Sequence, residues 1–262
     1  LRKKKSNIRE KVVIGYRGEI GSAIYKIFKA EYGIDYYEGK LIIPRFWWHP
    51  TDDFKIPHID SDNGYVDIND LPQDLIMHVC IPYTKEFNET VMKYNQILKP
   101  SMIIVHSTVP PEELEELAYD MGHSTPVIHC PINGKHPNIE ADIRKYTMFV
   151  GPVTTEKDGQ MACEYLEYYG LRTYLCTTAL GTALAKLMST EFLRVQIEFF
   201  RKYKKICEDF FINWAEIIEF FKAIGFKTFQ RAGPIDTEMS GKHCLNNNER
   251  ILKEWLDHYE TT

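Results

Sequence analysis

Between residues 11 and 33 the hydrophobic pattern changes its period. The stretch "KVVIG" (11–15) is a continuous apolar run that reads as a short buried strand. The next stretch, "EIGSAIYKIFKAEYG" (19–33), places Ile20, Ala23, Ile24, Ile27 and Phe28 on one helical face, with Gly33 as the expected C-terminal cap. The alternation continues along the chain. "DLIMHVCIP" (74–82), "SMIIVHSTVPP" (101–111), "TPVIHCPI" (125–132), "YTMFVGP" (146–152) and "LRTYLC" (171–176) predict strands. "KEFNETVMKYNQIL" (85–98), "PEELEELAYDMG" (111–122) and "QMACEYLEYYG" (160–170) predict the helices between them. The helix from 111 carries Pro and acids in its first turn, where the helix dipole favours them. Strands that alternate with helices, rarely close enough for hairpins, predict an α/β fold with a mainly parallel sheet.

Beyond Thr178 the period is helical. Residues 181–211 contain no proline and no glycine after Gly181, and they predict one long helix. "WAEIIEFFKAIG" (214–225) predicts a second helix, 231–248 reads as a loop, and "ERILKEWLDHY" (249–259) predicts a short closing helix. The change of pattern predicts a sheet domain over 1–178 and a smaller all-helical domain over 179–262, with the long helix running between them. Residues 36–74, broken by Pro, Gly and Asp, hold one or two strands in a long excursion. On the long helix Phe192, Val195, Phe199 and Tyr203 recur at similar angles. That is more apolar face than one small domain covers, and it predicts a homodimer through this helix.

Composition narrows the function. A chain of 262 residues with 44% hydrophobic content can bury a real core, and its net charge of −5 argues against a nucleic-acid partner. The one dense basic run, "LRKKK" (1–5), reads as a solvated terminus. No apolar run reaches the roughly 18–20 residues of a membrane span, and no signal-peptide pattern is present. The 6 cysteines are scattered without a CxxC pair, so reduced thiols in a cytoplasmic protein are expected. Cys80, Cys130, Cys163, Cys176 and Cys207 lie in apolar patterns and read as core. Cys244 lies in a polar stretch beside Lys242 and His243, where positive charge lowers a thiol pKa. His49, His58, His106, His129, His136 and His243 show no metal-like pairing, so no metal site is expected.

The changeover "GYRGEIG" (15–21) is where chemistry enters. A helix N-terminus at the end of a central strand offers free N–H groups and a positive dipole end to a phosphate. The dinucleotide fingerprint GxGxxG is met here as GxxGxxG: Gly18 and Gly21 fill the later slots, Tyr16 stands where the first glycine belongs, and Gly15 comes one residue early. Arg17 either reaches a phosphate or faces solvent. The acid for the ribose hydroxyls is Glu38 in first place and Asp35 in second, with Asp52 or Asp60 if the second strand lies later. Basic Lys40 and Arg45 follow, so NADP stands beside NAD as a candidate cofactor.

Four further stretches, in order, resemble the UDP-glucose/GDP-mannose dehydrogenase family, within the wider 6-phosphogluconate dehydrogenase-like superfamily. "DLIMHVCIP" resembles the family's strand that ends in an Ile-Pro or Val-Pro step, and "HSTVPPEELEEL" (106–117) its Ser-Thr-Val-Pro-Pro segment. Residues 184–210 are similar to its long central helix opened by a Lys, and "SGKHCLNNNERIL" (240–252) to its cysteine loop. The resemblance implies a Rossmann-type domain and a dinucleotide contacting Gly15, Tyr16, Arg17, Gly18, Glu19, Ile20, Gly21, Glu38, Ile81, Pro82, Ser107 and Thr108. It implies catalytic roles for three residues. Cys244 attacks an aldehyde, Lys186 stabilises oxyanion charge, and Thr108 positions the water or hydroxyl. Asn133, Lys135, His136, Lys186 and Thr190 are its implied substrate contacts, for a small-molecule alcohol.

The departures from the family are equally definite. Ile132 or Asn133 stands in place of its glutamate, Thr190 in place of its helix Asn, and Asn248 in place of its Asp base. Its third domain has no counterpart before Thr262, so a truncated chain, a smaller substrate or a simpler activity is expected. Loss of both acids weakens the four-electron route and leaves a single hydride transfer, as in the β-hydroxyacid dehydrogenases, for which Lys186 also serves. A non-catalytic nucleotide-binding or protein-binding module is the alternative from another class.

Overall fold

The computed structural model describes residues 9–37, 40–43, 46–47, 58–59, 67–134, 137–224 and 242–259. The chain divides into two compact units, Leu1–Leu184 and Ala185–Thr262. The first unit carries the strands β1 (Lys11–Ile14), β2 (Tyr32–Tyr37), β3 (Lys40–Ile42), β4 (Phe46–Trp47), β5 (His58–Ile59), β6 (Ile76–Val79), β7 (Met102–Val105), β8 (Val127–His129), β9 (Thr147–Pro152) and β10 (Arg172–Leu175). Between them run α1 (Glu19–Phe28), α2 (Phe87–Leu98), α3 (Glu113–Asp120), α4 (Ile139–Lys145) and α5 (Glu156–Tyr168). Then follow α6 (Ala179–Asp209), α7 (Trp214–Ala223) and α8 (Lys242–Tyr259). No helix among the described residues is long and apolar enough to cross a membrane.

Eight strands form one sheet in the order β10-β9-β8-β7-β6-β1-β2-β3, and β4 pairs with β5 separately. From β2 through β1, β6 and β7 to β8 every pairing is parallel; β3 and β9 join antiparallel, and β10 runs parallel to β9. The continuous apolar runs of β1, β6 and β7 follow from helices covering both sheet faces, so that no position on these strands meets water. Neighbouring residues divide between two cores. Val12, Met77 and Ile103 join Phe87, Leu98 and Leu114 of α2 and α3 on one face. Val13, Ile104 and Ile128 join Ile24, Phe28, Ile143 and Leu166 of α1, α4 and α5 on the other.

The excursion over 36–74 carries three short strands among its described residues, β3, β4 and β5, where one or two were expected, and three further elements differ from the expectation drawn from sequence. Helix α1 stops at Phe28, not near Gly33: Lys29 turns left-handed (φ 48°) and its N–H caps the Lys26 and Tyr25 carbonyls. Gly33 lies in β2, and a Cβ there would stand 2.5 Å from the Tyr16 ring. Tyr16, the residue in the place of the first fingerprint glycine, therefore uses the space that Gly33 leaves open. Helix α4 is too short, at 7 residues, for its two buried positions, Ile139 and Ile143, to register as a period. Helix α8 starts at Lys242 and not at 249, running through three asparagines of modest helix propensity. Asn248 is buried there and its amide donates to Thr190 Oγ1 at 3.1 Å, a tertiary bond that no local pattern announces.

The glycine turn is set by close approach. Gly15 takes φ 80°, its N–H donates to the Ile34 carbonyl at 2.8 Å, and a Cβ on it would meet the Cys80 carbonyl oxygen at 2.8 Å. A Cβ on Gly21 would lie only 2.0 Å from the Gly15 carbonyl oxygen. Both positions exclude any side chain.

A buried polar chain crosses the second core. His106 Nδ1 lies 2.8 Å from the Cys130 carbonyl, which can only accept, so Nδ1 carries the proton. His106 Nε2 is then the acceptor for His78 Nδ1–H at 3.0 Å, and His78 Nε2 accepts from the Tyr165 hydroxyl at 2.8 Å. Phe28 stacks on His78, with ring centroids 4.5 Å apart. Nearby, buried Lys11 pairs with Glu31 at 3.0 Å and donates to the Tyr169 hydroxyl at 3.3 Å. Both histidines are neutral. Burial pushes His78 well below its usual range, with His106 and Lys11 adding to the effect, and burial lowers His106 to about 4 despite its bond to Cys130.

Two outcomes follow. Replacing Gly21 with Ala forces a backbone oxygen to move and should cost about 3 kcal/mol, read as a lowered urea midpoint. The unfolded histidines titrate near pH 6.5, far above their folded values, so the unfolded chain binds the extra protons. Stability is therefore full above about pH 6.5 and falls as the pH drops toward 4, by up to about 1.4 kcal/mol per pH unit for each histidine. Urea titrations at pH 7 and pH 5 check this; equal midpoints would contradict it.

Candidate functional site

In the sheet order β1 lies between β2 and β6, so successive connections leave it in opposite directions. Such a reversal opens a crevice outside the carboxyl ends of the strands, the usual ligand position in an open α/β sheet. Gly15 leaves β1 there, leaning on the Cys80 carbonyl at the end of β6. Gly18 then caps α1 in extended conformation, and the Ser22 N–H to Gly18 carbonyl bond of 2.8 Å closes the first turn. The first N–H groups of a helix precede its own acceptors. Arg17, Gly18 and Glu19 are exposed around them. A Cβ at Gly15 would strike the Cys80 carbonyl and one at Gly21 the Gly15 carbonyl, so the two glycines let α1 start this close to the strand end, where its first N–H groups suit a phosphate.

The acid beside the turn is Asp35. Its Oδ2 accepts the Arg17 backbone N–H at 3.0 Å, within β2 rather than beyond it. Glu38, the first candidate from sequence, falls outside the described residues; Asp35, the second, lies within β2 (Tyr32–Tyr37).

The neighbouring strand ends meet the same edge. Ile81 Cγ2 would stand 3.1 Å from a Cβ on Gly15. The buried Ser107 hydroxyl donates to the Ile81 carbonyl at 2.6 Å and joins the exits of β6 and β7. Thr108 follows, half-buried, and Pro82 is exposed. Gly15, Ile81 and Ser107 are thus brought together. Tyr16 and Ile20 are half-buried within the turn and the start of α1. Asn133, half-buried, follows the exit of β8, while Lys135 and His136 lie outside the described residues.

The exits of β7 and β8 are also tied by His129. Its Nε2 lies 3.1 Å from the Ser107 carbonyl, and so donates to it, while Nδ1 faces the Thr182 hydroxyl at 2.8 Å. Thr182 belongs to the first turns of α6, and a Cβ on Gly151 of β9 would meet its Oγ1 at 2.6 Å. His78 attracted no notice in the sequence, and His106 and His129 were weighed only as metal ligands. The signal was present in "LIMHVC", "IIVHS" and "VIHC": a histidine inside a buried apolar run must find hydrogen-bond partners. Among the described residues no group of three His, Cys, Asp or Glu is placed to hold a metal.

The second unit holds its own cluster. Lys186 is half-buried on α6, and its carbonyl accepts the Thr190 hydroxyl at 3.1 Å. Thr190 Oγ1 in turn accepts from Asn248 on α8 at 3.1 Å. Arg194 binds Glu191 and Glu198, each at 2.6 Å, with Glu249 at 3.7 Å. Backbone position 244 lies in α8, not in a loop, and the Cys244 side chain is outside the described residues. Burial pushes the Cys80 and Cys130 thiols up, so neither is a thiolate nucleophile at neutral pH.

Comparison with known proteins agrees with this architecture. No family model matches the chain. A UDP-N-acetyl-D-mannosamine dehydrogenase of Methanococcus maripaludis is 23% identical over 155 residues, 59% of this chain and 35% of that protein. The corresponding enzyme of a second strain is 22% identical over 190 residues, 67% of this chain and 43% of its own length. The chain therefore spans well under half the length of these curated relatives. The solved structure of Mycobacterium tuberculosis 3-hydroxyisobutyrate dehydrogenase superposes with a TM-score of 0.66 at 14% identity, covering 97% of this chain and 89% of that one. A UDP-glucose dehydrogenase from Pyrobaculum islandicum gives the same TM-score of 0.66 at 12% identity, covering 99% of this chain and 66% of that one. The chain is thus similar in sequence to UDP-sugar dehydrogenases and shares its fold with them and with 3-hydroxyisobutyrate dehydrogenases.

Proposed function

We propose that the chain is an oxidoreductase that binds a nicotinamide dinucleotide at the glycine turn and exchanges a hydride with an alcohol substrate. The observation that carries this reading is the turn itself, where Gly15 and Gly21 leave no room for side chains and Asp35 stands beside the first N–H groups of α1. The backbone N–H groups of residues 18–21 would hold the pyrophosphate, and Asp35 the adenosine ribose hydroxyls. A carboxylate there repels a 2′-phosphate, which favours NAD over NADP. Ile81, Pro82, Ser107 and Thr108 would line the path towards the nicotinamide. The dinucleotide supplies the hydride acceptor.

Residues of this chain do the rest. The Lys186 ammonium is the cation proposed for stabilising a substrate oxygen as it loses its proton, and the Thr108 hydroxyl, at the exit of β7, is the group proposed for orienting a substrate. Residues 1–178 would then serve as the dinucleotide domain and 179–262 as the substrate domain. The curated relatives are named for UDP-N-acetyl-D-mannosamine, and one structural neighbour for 3-hydroxyisobutyrate. The substrate class proposed here is accordingly an alcohol on a nucleotide sugar or a small hydroxy acid. A single oxidation fits better than a double one with Cys244 as nucleophile. Asn248 is a buried amide bonded to Thr190, and an amide cannot take the proton that thioester hydrolysis requires. The scattered free thiols fit a reduced, cytoplasmic setting.

We also propose a homodimer through α6. Met188, Phe192, Val195, Phe199, Tyr203 and Ile206 are exposed along it, and Phe210 directly after its last residue. Their spacing of 4, 3, 4, 4, 3 and 4 residues is an eleven-residue repeat that keeps one straight stripe, and it reads the same in both directions from Phe199. Of the exposed charges, Glu198 precedes that centre, and Arg201, Lys202 and Lys205 follow it, with Glu208 and Asp209 at the end of the helix. An antiparallel second copy would place opposite charges together.

NADH fluorescence titration tests the first proposal. The chain should bind, and Asp35→Asn should weaken binding about tenfold, or roughly 1.4 kcal/mol. No binding of NADH or NADPH would overturn it. With a turned-over substrate, Lys186→Ala should lower kcat by roughly a hundredfold or more. Sedimentation equilibrium tests the dimer, which Phe199→Glu should convert to monomer; a wild-type monomer at all concentrations would refute it.

A further inference from the structure

The backbone ladder between β7 and β8 ends with the Cys130 N–H to Val105 carbonyl bond of 2.8 Å. On either side of that bond, at the residue after Val105 and the residue before Cys130, imidazoles continue the pairing. His106, at the exit of β7, donates from Nδ1 to the Cys130 carbonyl at 2.8 Å. His129, at the end of β8, donates from Nε2 back to the Ser107 carbonyl at 3.1 Å. The relation is reciprocal: each histidine binds the carbonyl of the residue that follows the other. The two rings also approach from opposite sides. Alternation along β7 and β8 sends His106 to the face of His78 and Tyr165, and His129 to the face of Thr182. His106 and His129 are 1% and 0% exposed, so neither carbonyl has water as a substitute partner in this position.

We infer that His106 and His129 are a pair of positioning residues, a reciprocal brace that fixes the exits of β7 and β8 where Ser107, Thr108 and residues 131–133 would meet cofactor and substrate. The brace uses opposite ring nitrogens as its donors. His106 donates from Nδ1 and accepts on Nε2 from His78, while His129 donates from Nε2 and its Nδ1 lies 2.8 Å from the Thr182 hydroxyl, which itself donates to the Ala179 carbonyl. Each ring is itself held on its far side, by the His78–Tyr165 chain or by the start of α6. A carbonyl that has lost its donor would draw its strand exit toward water, and the Ser107 hydroxyl would no longer be aligned on Ile81. The consequence for ligand binding rests on the function proposed above, whereas the brace itself rests on the hydrogen bonds.

Amide isosteres separate the brace from general core packing. The amide nitrogen of Asn stands where Nδ1 stood, and that of Gln where Nε2 stood. His106→Asn should therefore keep the bond to Cys130 and His106→Gln lose it; His129→Gln should keep the bond to Ser107 and His129→Asn lose it. Hydrogen–deuterium exchange of the full chain reads the result. The two bond-losing variants should raise exchange at residues 107–110 and 130–134 about tenfold, with β1 and β6 unchanged, and the two bond-keeping variants should stay close to wild type. NADH affinity should follow the same crossed order, about tenfold weaker only in the bond-losing pair. Indistinguishable Asn and Gln variants at both positions, or faster exchange spread through the whole sheet, would overturn the brace. Failure of the wild type to bind NADH would overturn the proposed function alone, since the exchange pattern judges the brace without any ligand.

Discussion

No side chain fits between the Gly15 carbonyl and the first turn of α1, and the sheet's carboxyl edge is arranged around that contact. A Cβ at Gly21 would come within 2.0 Å of the Gly15 oxygen, and one at Gly15 would strike the end of β6. Helix α1 consequently begins directly at the end of the central strand, with its N–H groups facing the crevice where the sheet order reverses. The one-residue shift from the usual glycine spacing is absorbed locally. Gly15 supplies the positive φ, and Tyr16 folds against the space left by Gly33.

Covering both faces of a parallel sheet leaves no water for polar groups inside it. This chain nevertheless places His78, His106, His129 and Lys11 in its interior. Each is paired: the first two in a one-way chain from Tyr165 to the Cys130 carbonyl, His129 between Ser107 and Thr182, and Lys11 with Glu31 and Tyr169. Pairing of that kind offsets desolvation only when geometry is complete, so these groups hold their strands more tightly than apolar packing does. His106 and His129 lie at strand exits on the edge where the glycine turn opens, which connects the stability of the sheet to the shape of the candidate site.

The strands and helices of the first unit were legible because their apolar periods are clean: "KVVIG" and "SMIIVH" could be nothing but buried strands. Short or irregular elements were not. Helix α4 offers only two buried positions, and α8 runs through three asparagines whose place in a helix depends partly on Thr190, 58 residues away. Within the candidate site, Gly15, Ile81 and Ser107 could be named from motif order, and they lie together. That Asp35 meets the Arg17 N–H could not be read from sequence, because it depends on how β2 lies against the turn. The histidines escaped a functional reading because a motif search asks for neighbours in sequence, whereas His78, His106 and His129 find partners 28, 24 and 22 residues away.

By itself the sequence determined the alternation of strands and helices, the parallel sheet, the long α6 with its exposed apolar stripe, and the position of a phosphate-suited turn. All of these follow from local period and from the backbone freedom of glycine. Only the tertiary structure decided which polar side chains meet. Hydrogen bonds between distant strands depend on register and on which face a residue occupies, and a shift of one residue would exchange every face. That is why Asp35 at the Arg17 N–H, the donating nitrogens of His106 and His129, and the bond between Thr190 and Asn248 became visible only when the sheet and the helices were in place.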